Sequence, residues 1–172
     1  LADYLGEKNF RDGLRHYLKK HSYQNTSTLH LWQAFEKVSL GHSRTGEAGK
    51  PVAKMMKNWT GKPGYPVVRV NADLSLSQER FFANPIFKKK AKDKTVWSIP
   101  LINSSKAQFW RRSAQRGGAS KAIFQQKNMR AETKLVPSKN FWLKLNFGET
   151  GFYRTAYDKT LLEKLREPIQ HK

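Results

Sequence analysis

The run Thr60-Gly61-Lys62-Pro63-Gly64-Tyr65-Pro66 constrains the chain more than any other feature. Before it, apolar residues recur at helical spacing. After it, they alternate or come in short β-branched runs. Two glycines and two prolines within seven positions stop a helix and turn the chain. The sequence therefore predicts an α+β chain with its helices first and its strands second.

Upstream of the break, Phe10, Leu14, Tyr17 and Leu18 form a stripe over residues 7–20, with Arg11, Arg15, Lys19 and Lys20 on other faces. Glu7 opens that helix and the lysines close it, as the helix dipole favours. The capping run Asn25-Thr26-Ser27-Thr28 starts a second helix with Leu29, Trp32, Phe35 and Val38 on its apolar face. A third begins near Pro51, a residue suited to a first helical position, and carries Val52, Met55, Met56 and Trp59. The polar, glycine-rich segment 40–49 reads as the loop between the second and third helices.

Downstream, Pro66–Val70, a turn at Asn71-Ala72-Asp73, and Leu74–Phe82 predict a β-hairpin. Residues 95–102 predict a strand with Trp97, Ile99 and Leu101 on one face, and 121–126 and 131–136 are weaker strand candidates. The clearest period of two is Phe141, Leu143, Leu145 and Phe147 against Trp142, Lys144 and Asn146. Some six short strands predict a small antiparallel β-sandwich. The stretch 146–157 follows, with Gly148 and Gly151 suggesting a tight turn with positive φ. Asp158 then caps a last helix reaching Pro168. The domain boundaries read as 1–65 helical, 66–148 sandwich, and 149–172 a junction plus the opening helix of another domain.

Composition narrows the functions. With no cysteine among 172 residues, disulfides, zinc knuckles, iron–sulfur clusters and thiol nucleophiles are excluded. Zero cysteines fits a cytoplasmic protein, and no apolar run is long enough to span a membrane. A first residue other than methionine, in mid-pattern, reads as a piece of a longer protein. Thirty-three Lys and Arg against thirteen acids give a net charge of +20. That charge fits either basic surface faces or an anionic partner such as nucleic acid. The 104–120 segment holds the best nucleic-acid candidates, Phe109, Trp110, Arg111, Arg112 and Arg116, since aromatics stack on bases while arginines meet phosphates. A long hairpin loop has the same composition.

Catalytic signatures do not assemble. His16 and His21 are five apart with no glutamate between them, off the spacing that puts two imidazoles on one metal. His16, His21, His30, His42 and His171 read as solvated. Gly148-Glu149-Thr150-Gly151 lacks the Lys-Ser/Thr of a phosphate loop, and no Gly-x-Ser-x-Gly elbow occurs.

Several motifs in series carry a family resemblance. Asp3–Leu18 resembles the helix pair near the end of the catalytic domain of zinc metallo-aminopeptidases, the aminopeptidase N, puromycin-sensitive and tricorn-interacting-factor group. Thr28–Ser39 is similar to that family's next helix. Lys50–Thr60 followed by Gly64–Val68 resembles its lead into the sandwich. Leu74–Phe81 and Trp97–Leu101 resemble its first hairpin and next strand, and 146–157 its exit into a C-terminal helical domain. The resemblance implies that residues 1–65 end a thermolysin-like catalytic domain. It also implies that the zinc-binding His-Glu-x-x-His pair, the downstream Glu and the transition-state Tyr lie N-terminal to Leu1. No catalytic or metal-binding position is therefore carried onto this chain, and no cofactor is expected in this fragment, zinc belonging to the parent enzyme. The implied partners are the rest of the parent chain, with a peptide as the parent's substrate and no membrane. Phe152, Tyr153, Arg154 and Tyr157 are the candidate interdomain contacts, with Phe152, Tyr153 and Tyr157 expected to be unusually exposed or covered by a neighbouring molecule. The segments at 40–49 and 104–120 are departures from the family pattern, longer than its connections.

Overall fold

The computed structural model describes residues 1–41, 51–84, 86–87, 93–101, 103–104, 123–129 and 142–170. It divides into two compact units, Leu1–Lys62 and Pro63–Lys172. The stop after the third predicted helix coincides with that division.

The first unit contains helices α1 (Ala2–Leu5), α2 (Glu7–Lys20), α3 (Thr28–Gly41) and α4 (Val52–Thr60). Gly6, at φ 86°, turns the chain between α1 and α2, a conformation that favours glycine. The α2–α3 contact is unusually close at Gly13, where an added Cβ would clash with the edge of the Phe35 ring at Cδ1. Phe35 is 1% exposed and stacks on Phe10 at 5.2 Å between ring centroids. Pro51 takes the position preceding α4 and has no side-chain acceptor to cap it. Glu36 supplies one from α3, its Oε1 accepting the Ala53 amide at 2.8 Å. Tyr4, Leu5, Ala34, Val52 and Met55 complete the buried set. Leu18 and Leu29 depart from the predicted stripes, being 65% and 52% exposed.

The second unit contains strands β1 (Pro66–Val70), β2 (Leu76–Arg80), β3 (Ile99–Pro100), β4 (Asn103–Ser104), β5 (Ile123–Phe124), β6 (Asn128–Met129), β7 (Lys144–Leu145) and β8 (Arg154–Tyr157). A 3₁₀ turn spans Phe147–Glu149, and helix α5 (Lys159–Gln170) follows β8. The main sheet has the order β6-β2-β1-β8, with two further ladders, β3–β5 and β4–β7. The predicted hairpin is present, β1 and β2 running antiparallel from Pro66 opposite Arg80 to Val70 opposite Leu76. Its turn is closed by Asp73, whose Oδ1 accepts the amide and hydroxyl of Ser75.

The sheet is mixed, which corrects the expectation of antiparallel strands throughout. β8 lies parallel to β1, Val67 opposite Arg154 and Val70 opposite Tyr157. Parallel strands need a long crossover, and the whole stretch from Asn71 to Tyr153 supplies it here. The pairing also makes the predicted junction at 146–157 part strand. α5 begins as foreseen, with the Thr160 amide and hydroxyl donating to Asp158 Oδ1. It continues past Pro168 to Gln170.

The unit's core is built from Val68, Val70, Leu76, Trp97, Ile99, Leu101, Phe124, Leu143 and Leu145. Trp97, Ile99 and Leu101 do share a buried face. A polar side chain lies among them. Gln78, 2% exposed, accepts the Trp97 amide on Oε1 at 2.8 Å. Its Nε2 donates to the carbonyls of Trp97 and Gln126 at 3.0 and 2.9 Å. All three of those hydrogen bonds join β2 to segments remote in sequence, which is how a buried amide earns its place in an apolar core.

Candidate docking site at the turn into strand β8

The alternation of residues 141–147 predicts a strand through Phe147, but the ladder ends at Leu145. Asn146 leaves it with a left-handed backbone, φ 55° and ψ 44°. Asparagine tolerates that conformation better than most residues. Its side chain is then turned inward, and the residue is 9% exposed. Asn146 Nδ2 donates to the carbonyls of Gly151 and Tyr153, each at 2.9 Å, and Oδ1 accepts the Gly151 amide at 2.8 Å. Its carbonyl accepts the Glu149 amide at 2.9 Å. One side chain therefore does for this loop what backbone pairing does in a strand.

The two glycines have different reasons to be there. Gly148 has φ 72°. Gly151 is required by space, since a Cβ would meet both the Tyr153 ring and Asn146 Oδ1. The room it leaves lets Tyr153 pack inward, at 5% exposed. That corrects the expectation for Tyr153. Tyr157 is half-buried, and its hydroxyl accepts the Leu145 amide at 2.7 Å, tying β8 to β7. Burial pushes its phenol up, against the opposing hydrogen bonds with Leu145 and Thr155. Of the four candidates, Phe152 and Arg154 face outward, Phe152 being 71% exposed.

These two meet residues from the start of β1 and the end of β2. Tyr65 and Phe81 stack at 5.0 Å, linked also by the Phe81 amide donating to the Tyr65 carbonyl. The Phe152 ring lies 5.5 Å from Tyr65. The Arg154 guanidinium sits 4.2 Å from the Phe81 centroid and 5.6 Å from that of Tyr65. The parallel register of β8 on β1 brings Arg154 opposite Val67, next to this pair. An open groove of about 530 Å³ runs alongside, lined in part by Tyr65, Lys144, Glu149, Phe152 and Arg154.

The chemistry on offer is adhesive. A guanidinium over aromatic rings can still donate to a carboxylate or carbonyl, and the rings offer apolar area. Sequence reasoning singled out Phe152 and Arg154 but missed Asn146, Tyr65 and Phe81. The departure of Asn146 from its strand was not visible in an alternating pattern. The alternative nucleic-acid residues Phe109, Trp110, Arg111, Arg112 and Arg116 lie outside the described residues, as do the strand candidate 131–136, His42 and His171. Among the described residues, no group of three or more His, Cys, Asp or Glu could hold a metal ion.

Residues 1–59, within the first unit, match the peptidase family M1 domain. The whole chain is 35% identical over 178 residues to aminopeptidase M1-D of Oryza sativa subsp. japonica, of which the alignment covers 18%. Residues 1–59 thus group with the peptidase family M1 domain, and the chain along its whole length is similar to M1 aminopeptidases. The tricorn protease-interacting factor F2 of Thermoplasma volcanium is 34% identical over 161 residues, 92% of this chain and 16% of that protein. Glutamyl aminopeptidase of Bitis rhinoceros is 32% identical over 174 residues, 97% of this chain and 16% of that protein. The chain thus spans less than a fifth of these M1 relatives, yet the similarity reaches across both units.

Proposed function

We propose that this chain is a non-catalytic portion of a zinc-dependent aminopeptidase that releases N-terminal amino acids from peptides. Similarity to aminopeptidases along the whole chain, over less than a fifth of their length, carries this reading. In it, residues 1–65 end the catalytic domain, 66–148 form a sandwich bracing it, and 149–172 lead into a helical domain. Zinc is implied for the parent enzyme. No catalytic step is assigned to this chain in this reading. A cytoplasmic location belongs to the same proposal, supported by the lack of cysteine. No described helix is long and apolar enough to cross a membrane.

The groove beside Phe152 and Arg154 is the surface this reading assigns to the rest of the parent chain. Tyr153 and Tyr157 support it from within. The purified chain is expected neither to hydrolyse aminoacyl-anilides nor to hold stoichiometric zinc, and zinc-dependent turnover would overturn the reading. Phe152→Ser should leave the chain's own stability within about 0.5 kcal/mol, as for an exposed substitution. It should also weaken association with a separately produced remainder of the parent by tenfold or more. Unchanged association would remove the groove from the proposal.

The net charge of +20 supports a second reading, a nucleic-acid-binding module using Phe109, Trp110, Arg111, Arg112 and Arg116. It requires salt-dependent binding of single-stranded oligonucleotides that weakens when Arg111 and Arg112 become alanine. An electrophoretic titration without a shift at low salt removes it.

A further inference from the structure

The meeting of α2 and α3 holds an arrangement that the aminopeptidase reading does not use. Ser27 immediately precedes α3, and His30 lies in its first turn. The His30 amide donates to the Ser27 carbonyl at 3.1 Å, and the Ser27 amide donates to His30 Nδ1 at 3.3 Å. This second bond is the one a Glu or Gln side chain makes in a capping box. An imidazole nitrogen takes that part here.

A carboxylate or amide oxygen accepts at any ordinary pH, whereas an imidazole nitrogen accepts only while it lacks a proton. The bond to Ser27 therefore requires neutral His30, with its ring proton on Nε2. The ring also carries a neighbour. His21, just past the end of α2, stacks on His30 with 4.8 Å between centroids and 7° between planes. Tyr17 braces the joint, its ring 5.4 Å from His21 and its hydroxyl 2.6 Å from Thr26 Oγ1. The groups that act on His21 are His30 from α3 and Lys20 and His16 from α2, and each of those charges opposes its protonation. Desolvation is the larger influence, and together they hold its pKa below the ordinary histidine value.

We propose that the His21–His30 stack is an acid-sensitive clasp that caps α3 at neutral pH and opens its first turn in mild acid. Protonating His30 puts an N–H against the Ser27 N–H, so the cap bond becomes a clash of donors. It also places a positive charge at the positive end of the helix dipole. Protonating His21 as well sets two cations face to face. All three effects favour opening as pH falls.

Amide hydrogen exchange on the intact chain tests this, with protection factors corrected for intrinsic exchange and read at the bonded amides of Ser27 and His30 from pH about 7.5 to 5.5. Protection there should fall roughly tenfold, the scale of losing one N-cap interaction, while α4 amides change less than twofold. His30→Gln retains an acceptor that cannot titrate, and should keep its protection across the range. The Ser27 amide resonance of the unsubstituted chain should shift with the His30 ring resonances, a readout that needs no variant. Protection independent of pH in the unsubstituted chain would overturn the proposal. So would an equal loss in His30→Gln, or a Ser27 resonance that ignores the His30 titration.

Discussion

Asn146→Ala should be among the most damaging single changes in the second unit. The side chain makes three hydrogen bonds of 2.8–2.9 Å to the backbone of Gly151 and Tyr153. Each contributes about 1 kcal/mol net, and more where the abandoned group stays buried, as the Tyr153 carbonyl would. Alanine at φ 55° adds about 1 kcal/mol of backbone cost that asparagine largely escapes. The sum is about 3–4 kcal/mol, a large share of the roughly 5–15 kcal/mol that holds a domain together. At a urea m-value of about 2 kcal/mol/M, the midpoint should fall by about 1.5–2 M. The indole resonance of Trp97 is a suitable probe because it reports on the same unit. Asn146→Gly should lose about 1 kcal/mol less than Asn146→Ala, because glycine accepts the left-handed backbone. A midpoint shift under about 0.3 M for Asn146→Ala would refute the idea that this side chain holds the loop.

Three further outcomes are expected. Gln78→Leu strands the Trp97 amide and two carbonyls, and should lower stability by about 2–4 kcal/mol in the same urea titration. Gly13→Ala adds a good helix former to α2 yet should destabilise the first unit by about 1–2 kcal/mol, overpacking exceeding the propensity gain. Phe35→Leu in the same chain should recover part of that loss, and strict additivity would sink the explanation. The Asp93 carboxyl pairs with Arg80 at 2.5 Å and accepts the Thr95 amide at 2.7 Å. Desolvation alone would raise its pKa, but the Thr95 hydrogen bonds and the Arg80 charge together bring it below the usual value. A lowered carboxylate pKa stabilises the fold above the unfolded value, about 3.9, and the gain disappears as pH falls through the folded one. Asp93→Asn should therefore be less stable at pH 7 and show a flatter acid limb in a pH series of urea midpoints.

Much of the architecture was legible in the sequence. The stripe of Phe10, Leu14 and Tyr17 marked α2, the Asn25–Thr28 run led into α3, and Asp158 capped α5 where a short-range signal said it would. The β1–β2 hairpin could be read from its β-branched run and turn residues. These features depend on neighbours within about four positions, so periodicity and capping rules reach them. The exposure expected of Phe152, Tyr153 and Tyr157 was read only in part. Phe152 and Arg154 do face outward, whereas Tyr153 packs behind Gly151 and Tyr157 bonds back to Leu145.

The local sequence, then, determined which stretches became helices and hairpin and where most of them start. Tertiary structure decided that β8 joins β1 in parallel, that Gln78 links β2 to two distant segments, and that Glu36 caps a helix other than its own. It also assembled Tyr65, Phe81 and Arg154 into one surface from three strand ends. The physical reason is the same in each case. Backbone amides and carbonyls must be satisfied, and the partner that satisfies them can lie anywhere along the chain. Alternation can say that Leu143 and Leu145 point inward. Only the folded neighbours show that Asn146 does more by leaving the strand than by extending it.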